Sequence, residues 1–465
     1  MLKLIAKRRF EFCAAASAAC LAAMLFQLQA AAQQPAPQTA PIVLHAARLL
    51  EVDTGNLLQP GEILVEGNRI KAVGTSVEHP ANAKLIDLGG ATLMPGLIDA
   101  HVHLFLHPGA EDLQTVEESV PWRVILAEQA ARDDVMAGYT AERDMGTEGA
   151  GSADTAIRNA INHGILPGPR MRISGNAIDI LGGHEDANHY NPAQHVLSNA
   201  DYANSAEQIV EVMREQHKEG SDFAKIYVTG PDRMVPAGSP PCLGDPICAQ
   251  LGMSQEPGDP EFWNFHTPYQ YTEKQLEAAV AEAARLDTKV GVHGQGEPAA
   301  RFAAEASVAS IDHATQLTDA TMRLMREKGI FAVPTFTIFE YFADHAPNPE
   351  AAAREHAMLD YKIHEFKRQV AAGVPFAVGS DVGPFPHGTQ ARELALMVQY
   401  GMKPLAVLQA DLINGAKLLG WAGQIGELKP GYYADIVAVP GNPLEDISTC
   451  EHVSFVMKNG EVLRQ

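Results

Sequence analysis

Between Met94 and Gln424, apolar runs of strand length alternate repeatedly with stretches of helical period, and no other feature narrows the fold as much. The strand-like runs fall at 97–103, 139–144, 170–174, 223–227, 289–293, 310–313, 330–334 and 375–379. Amphipathic stretches separate most of them, for example at 127–137, 205–218, 272–285, 320–328 and 353–371. Eight strand-then-helix units in an α/β chain predict a closed (β/α)8 TIM-like barrel spanning 95–424, with its active site at the C-terminal ends of the strands. An open doubly wound sheet is the alternative built from the same units. With 465 residues, 46% of them apolar and 20% charged, the chain has the length and balance for a barrel plus a smaller globular unit.

The flanks read differently. Residues 42–94 alternate apolar and polar positions in short runs broken by turn signals, as in Ile63-Leu64-Val65-Glu66 followed by Gly67-Asn68. The same texture returns at 425–465, where Phe455-Val456-Met457 turns through Asn459-Gly460. The two ends are expected to combine into one small β-sandwich domain. Ahead of them, Lys3, Lys7, Arg8 and Arg9 precede an alanine-rich apolar stretch that closes on Ala30-Ala31-Ala32, the layout of a secretory signal peptide over 1–32. Glu11, Gln27 and Gln29 interrupt the run, which argues against a retained membrane anchor. Arg8-Arg9 loosely matches a twin-arginine signal, and proline-rich 33–41 reads as a linker. The mature protein is therefore expected to be secreted or periplasmic. Four cationic residues and Glu11 leave with the signal, so the net charge of −22 becomes −25, which disfavours nucleic acid and anionic membranes as partners. Of the cysteines that remain, Cys242 and Cys248 sit close enough for a local disulfide in an oxidising compartment, and Cys450 is left as a buried thiol.

His101-Val102-His103 puts two imidazoles on one face of the first strand. With 18 histidines in 465 residues, roughly one such pair arises by chance, so the pair alone decides nothing. Position decides. Lys225, His293, His313 and Asp381 fall at the ends of the fourth, fifth, sixth and eighth predicted strands and converge with the pair on one mouth.

With those residues in place, the chain resembles the amidohydrolase superfamily, in the binuclear branch of Xaa-Pro dipeptidase-like, imidazolonepropionase-like and ochratoxinase-like enzymes. The likeness covers essentially the whole mature chain. It implies that His101, His103 and Asp381 bind one divalent ion and that His293 and His313 bind the other. It also implies that Lys225, carboxylated by carbon dioxide, bridges the two, and that the ions are zinc. Paired ions lower the pKa of a bridging water to about 7 and polarise the scissile carbonyl, with Asp381 as the acid–base group. A mononuclear centre, with Lys225 a plain strand residue, is the alternative.

His184, in Gly182-Gly183-His184, matches the family histidine near the substrate, but Glu185 stands where relatives commonly carry glycine. Tyr227 shares the face of Lys225 and either hydrogen-bonds a substrate carboxylate or packs at the rim. Gln295 occupies a position where relatives often have a second histidine. The Gly- and Pro-rich loop after Thr229 carries Phe262, Trp263, Phe265, Tyr269 and Tyr271, read either as a lid over an aromatic substrate or as an oligomer contact. The expected activity is hydrolysis of an amide bond in a dipeptide or N-acyl amino acid, with aromatic amides such as ochratoxin included. Cyclic-amide hydrolysis of the imidazolonepropionase kind and a catalytically silent scaffold are the alternatives. The resemblance further implies a homo-oligomer.

Overall fold

The computed structural model describes residues 40–465 apart from 187–190, 192, 194–195, 232, 236–238, 240–245, 252 and 254–263. The signal-peptide and most of the linker assignments, Cys242, Phe262 and Trp263 lie outside the described residues.

The chain is a mixed α/β protein whose central strands run parallel and in sequence order. Leu97–Val102 pairs with Tyr139–Asp144, and the latter pairs with Arg170–Ile173. The third strand breaks and resumes as Ala177–Asp179, which contacts Ala224–Tyr227. From there pairing continues through Val290–Gly294 and Ser310–His313 to Phe331–Val333. Residues of the first, second, fourth, fifth and sixth of these strands are buried on both faces, as a sheet covered by helices requires.

The eighth expected strand, 375–379, is corrected: it forms no regular strand. Two isolated parallel bridges stand there instead, Phe376 to Ala332 of the seventh strand and Val382 to Val102 of the first. Backbone bonds from Ala100 N to Val378 O (2.9 Å) and from Asp381 N to His101 O (2.8 Å) reinforce the second link. The approach is too close for a side chain. A Cβ on Gly379 would lie 2.5 Å from Val333 Cγ1 and 2.7 Å from His101 Cβ. Two residues on, Asp381 turns out of extended geometry at φ 63°.

The helices between the strands are cut by local signals. Thr272 and Gln275 form a capping box ahead of Glu273–Arg285, and Ser205 caps Ala206–Glu219, which ends at left-handed Gly220. Asn348 caps Pro349–Ala372, which stops at Gly373. One helix outside the expected stretches borders the site: Phe336–His345, which buries Phe336, Thr337, Ile338, Phe339 and Ala343.

At the ends of the chain, two sheets share one core. A four-stranded sheet from residues 42–87 packs on a six-stranded one that interleaves Arg48–Glu51, Asn56–Leu58 and Thr92–Pro95 with Ile436–Val439, Phe455–Lys458 and Glu461–Arg464. Leu44, Ile63, Val65, Leu93, Ile436, Phe455 and Met457 fill the space between them. No helix interrupts residues 42–95. Cys450 is buried and free as expected, and Cys248 is buried and disulfide-bonded. Among the described residues, no helix is long and apolar enough to cross a membrane.

Candidate metal centre

His101 lies near the end of the first strand and His103 just beyond it. Behind His101, Asp312 Oδ2 sits 2.9 Å from its Nδ1 and accepts a 2.7 Å hydrogen bond from Arg143 Nη2. Arg143 is itself anchored by the Ala100 carbonyl (2.6 Å) and Ser310 Oγ (3.0 Å). Burial works to raise the Asp312 carboxyl, but Arg143 and His101 outweigh it and hold the group well below the usual carboxylate range. An ionised Asp312 accepts a hydrogen bond from His101 Nδ1–H, so the neutral ring leaves Nε2 bare. His103 Nδ1 lies 3.1 Å from the Gly146 carbonyl, which only accepts, so its Nε2 is bare as well.

Those two bare nitrogens face each other at 3.3 Å. Asp381 Oδ1 stands 3.3 Å from the first and 3.4 Å from the second. Three acceptors thus converge in a buried space without a proton to share, and a cation is what such a cluster lacks. Among the described residues, His101, His103 and Asp381 form a group whose ligand atoms all lie within 4.8 Å of one another. Two imidazoles and a carboxylate suit a divalent ion such as zinc.

Lys225, His293 and His313 border this cluster. The rings of His293 and His313 are 4.4 Å apart, and His313 is 5.1 Å from the His101 ring. Lys225 is fully buried and its Nζ has no hydrogen-bond partner; His293 Nε2 is orphaned in the same way. Burial lowers the Lys225 ammonium against the pull of Asp312, Asp381 and Glu148, which favours the neutral amine. Burial and neighbouring cations also push His293 and His313 well below the ordinary histidine value, though Asp381 opposes this at His313. For Asp381 burial acts upward, and the surrounding His101, His313 and His103 more than reverse it. His313 and Asp381 both adopt left-handed backbone, at φ 69° and 63°. Such positions cost a residue with a Cβ on the order of 1 kcal/mol and cluster where function over-determines them. His313 is also tied down by a 2.8 Å contact between its Nδ1 and Thr335 Oγ1.

All six expected ligand positions therefore meet at one end of the parallel strands, with Asp381 on the irregular segment that follows 375–379, and His103, His293, His313 and Asp381 line a cavity of about 420 Å3. His184 and Tyr227 both line it, with rings stacked at 5.1 Å, and Tyr227 lies 4.7 Å from the His293 ring. The Glu185 departure is accommodated by Asp179, whose Oδ2 accepts from Glu185 N at 2.7 Å. A Cβ on Gly183 would come within 2.3 Å of Asp179 Oδ1, so this turn needs its glycine.

Two of the loop aromatics do not reach the cavity. Tyr271 is fully buried with its hydroxyl donating to the Ala203 carbonyl (2.9 Å), and Tyr269 packs edge-on against Phe302 at 5.6 Å. Sequence reasoning missed Asp312 and Arg143, although an aspartate directly before a ligand histidine was a usable signal. It also missed Glu148, whose Oε1 lies 3.1 Å from His103 Nδ1 and whose carboxyl shares a hydrogen bond with that of Glu185. Burial raises both carboxyls, Glu185 to about 7. Of the cavity wall, Arg354 and Met358 lie in the helical stretch expected over 353–371, while Phe339 and Phe342 had no part in the sequence reading.

Comparison with known proteins agrees with this geometry. Residues 92–237 and 263–463 match the amidohydrolase family. Ochratoxinase of Aspergillus niger is 27% identical over 458 residues, covering 91% of this chain and 86% of the relative. Imidazolonepropionase of Streptomyces griseus is 25% identical, over 91% and 99% of the two chains. The crystal structure of a Xaa-Pro dipeptidase with bound methionine in the active site superposes with a TM-score of 0.78 at 28% identity, covering 92% of this chain and all of that one. The chain belongs to the amidohydrolase family and is a hydrolase acting on carbon–nitrogen bonds.

Proposed function

We propose that the protein hydrolyses the amide bond of a dipeptide or an N-acyl amino acid, using two divalent ions, zinc in the first instance, held by His101, His103, His293, His313, Asp381 and a carboxylated Lys225. The observation that carries this reading is the convergence of His101 Nε2, His103 Nε2 and Asp381 Oδ1 without a proton between them. The orphaned, buried Lys225 Nζ supports a second ion, because a neutral amine in that position is the form that carbon dioxide carboxylates. When bound, the ions supply Lewis-acid polarisation of the scissile carbonyl and a water acidic enough to ionise near neutral pH.

The chain's own residues do the remaining work. Asp312 and the Gly146 carbonyl fix the tautomers of His101 and His103. Asp381 Oδ1 faces the two bare imidazole nitrogens and would hold the ion with them, which leaves Oδ2, 3.8 Å from His313 Nδ1, to take a proton from the attacking water and return it to the departing amine. His184 and Tyr227 face the substrate. A Xaa-Pro dipeptidase with bound methionine and a prolidase complexed with N-methylphosphonate-L-proline are among the similar structures, which supports an amino-acid product. The same reading takes the parallel strands as a closed (β/α)8 barrel over 95–424, joined to a β-sandwich from 42–94 and 425–465. The protein is exported after loss of residues 1–32 and works as a homo-oligomer.

Metal analysis after purification in zinc and bicarbonate tests the centre directly. Two equivalents per chain are expected; none would overturn it. A screen of the loaded protein against dipeptides, N-acyl amino acids, ochratoxin and a cyclic imidazolone then tests the reaction. Ring opening without linear-amide cleavage would overturn the dipeptide reading.

A further inference from the structure

The helices Phe336–His345 and Pro349–Ala372 pack against each other and form one wall of the cavity. Ile338, Phe339 and Phe342 reach it from the first helix, Arg354, Glu355 and Met358 from the second. Each set has the spacing of a single helical face. The Phe339 ring lies 6.4 Å from the His313 ring, so the apolar surface begins beside the ligand layer. One turn on, Phe342 is 42% exposed, while Ile338, Phe339 and Met358 around the cavity are buried. Single exposed apolar residues are ordinary. A large ring left open inside a concave site next to the reacting centre is a surface for a ligand to cover.

Among the described residues lining the cavity, Arg354 supplies the one guanidinium or ammonium group. Among the described residues its polar contacts run to its neighbour Glu355, at 2.7 and 3.2 Å, and its side chain is 62% exposed. An exposed pair of this kind is worth about 0–1 kcal/mol, so the guanidinium is free to exchange partners.

We propose that this helical hairpin is the specificity determinant, and that it selects amides whose leaving amine is an α-amino acid with a bulky apolar side chain. The side chain lies against Phe342 and the carboxylate pairs with Arg354. An apolar side chain and a carboxylate on one carbon meet both features at once, and a residue with a free carboxylate stands on the amine side of the scissile bond. This rests on the amide-hydrolase reading above. It gives the carboxylate to Arg354 on the His313 side, and leaves Tyr227, on the His293 side, to the acyl group.

The test compares Ala-Phe, Ala-Gly and Ala-Phe amide as substrates of the metal-loaded protein and of the variants Phe342→Ser, Phe342→Leu, Arg354→Gln and Tyr227→Phe. Phe342→Ser is expected to lower the Ala-Phe to Ala-Gly ratio of kcat/KM about tenfold, chiefly through KM, and Phe342→Leu to recover most of it. Arg354→Gln is expected to lower the preference for Ala-Phe over its amide by about tenfold. A ratio unchanged within about twofold in Phe342→Ser overturns the proposal, as does a carboxylate preference erased by Tyr227→Phe and not by Arg354→Gln. Wild-type cleavage of both dipeptides with unmoved ratios sinks the hairpin assignment alone; wild-type cleavage of neither sinks the amide reading with it.

Discussion

Gly379→Ala is a one-methyl change whose effect follows from distances. The new Cβ would stand 2.5 Å from Val333 Cγ1, 2.7 Å from His101 Cβ and 2.9 Å from His101 N. Carbon atoms sit comfortably at about 3.5–4.0 Å, so roughly 1 Å must be found. A valine tip yields by rotation. His101 yields only with its strand, because its backbone is hydrogen-bonded to Asp381 N at 2.8 Å and its ring to Asp312 at 2.9 Å. Overpacking of this sort costs about 1–3 kcal/mol, and backbone on one side of the clash puts the expected loss near about 3 kcal/mol. The shift also separates His101 from Asp381, and misplacement of reacting groups by about 1 Å lowers turnover on the order of 100-fold. Urea unfolding, metal content and turnover are measured on Gly379→Ala beside Gly90→Ala, where an added Cβ meets nothing within 4 Å. Gly90→Ala should stay within about 0.5 kcal/mol of wild type. A Gly379→Ala protein with full metal and the same stability would refute the reasoning.

His101→Ala should remove activity while circular dichroism stays native, and Lys225→Ala should do the same with lower metal content; full turnover in either variant sinks the ligand assignment. Asp312→Asn keeps an oxygen able to accept from His101 Nδ1 but removes the negative charge that strengthens that bond and pairs with Arg143. Metal affinity should drop about 10–100-fold by competition with a chelator, and an unchanged value would show that the ring is held another way. Glu393 is buried and accepts from Phe336 N (2.8 Å), Thr337 N (2.7 Å) and Thr337 Oγ1 (2.7 Å), yet burial raises its carboxyl to about 7. A raised acid contributes its stability fully below its unfolded value, near 4.5, and loses it as pH climbs through about 7. Wild-type thermal stability should therefore carry a downward contribution between about pH 4.5 and 7 that Glu393→Gln lacks; identical pH slopes would refute it.

The candidate site was legible because strand ends are legible. Tyr139–Asp144 and Ser310–His313 have the boundaries their apolar runs predict, and five other strands shift by one or two residues. Once seven strand ends were placed, the residue types at them named the chemistry. The eighth was misread in kind: apolar 375–379 has strand composition, but close approach at Gly379 and the turn at Asp381 spoil a regular ladder. Neither is a local property of sequence. The break in the third strand and the short Ala177–Asp179 and Ala200–Tyr202 pair were missed for the same reason, since tertiary pairing overrides propensity in pieces this short. The hairpin wall was half legible: 353–371 shows a helical face, whereas ten-residue Phe336–His345 mixes apolar and polar positions over too few turns to stand out. Asp312 was hidden by its neighbour, whose histidine absorbed the attention.

The junction at Gly96 has a consequence for how the protein comes into being. Thr92–Pro95 runs directly into the strand that carries His101, and in the terminal sheet it lies between Arg48–Glu51 and Ile436–Val439, the latter over 300 residues later. During synthesis the first strand and its Arg48–Glu51 neighbour emerge early, yet the second ladder that anchors its beginning waits for nearly the last residues. A chain halted before Ile436 would carry all six ligand side chains and still lack that anchor. The candidate site is thus fully buttressed only when the chain is complete, so a nascent chain is expected to bind metal more weakly before release than after.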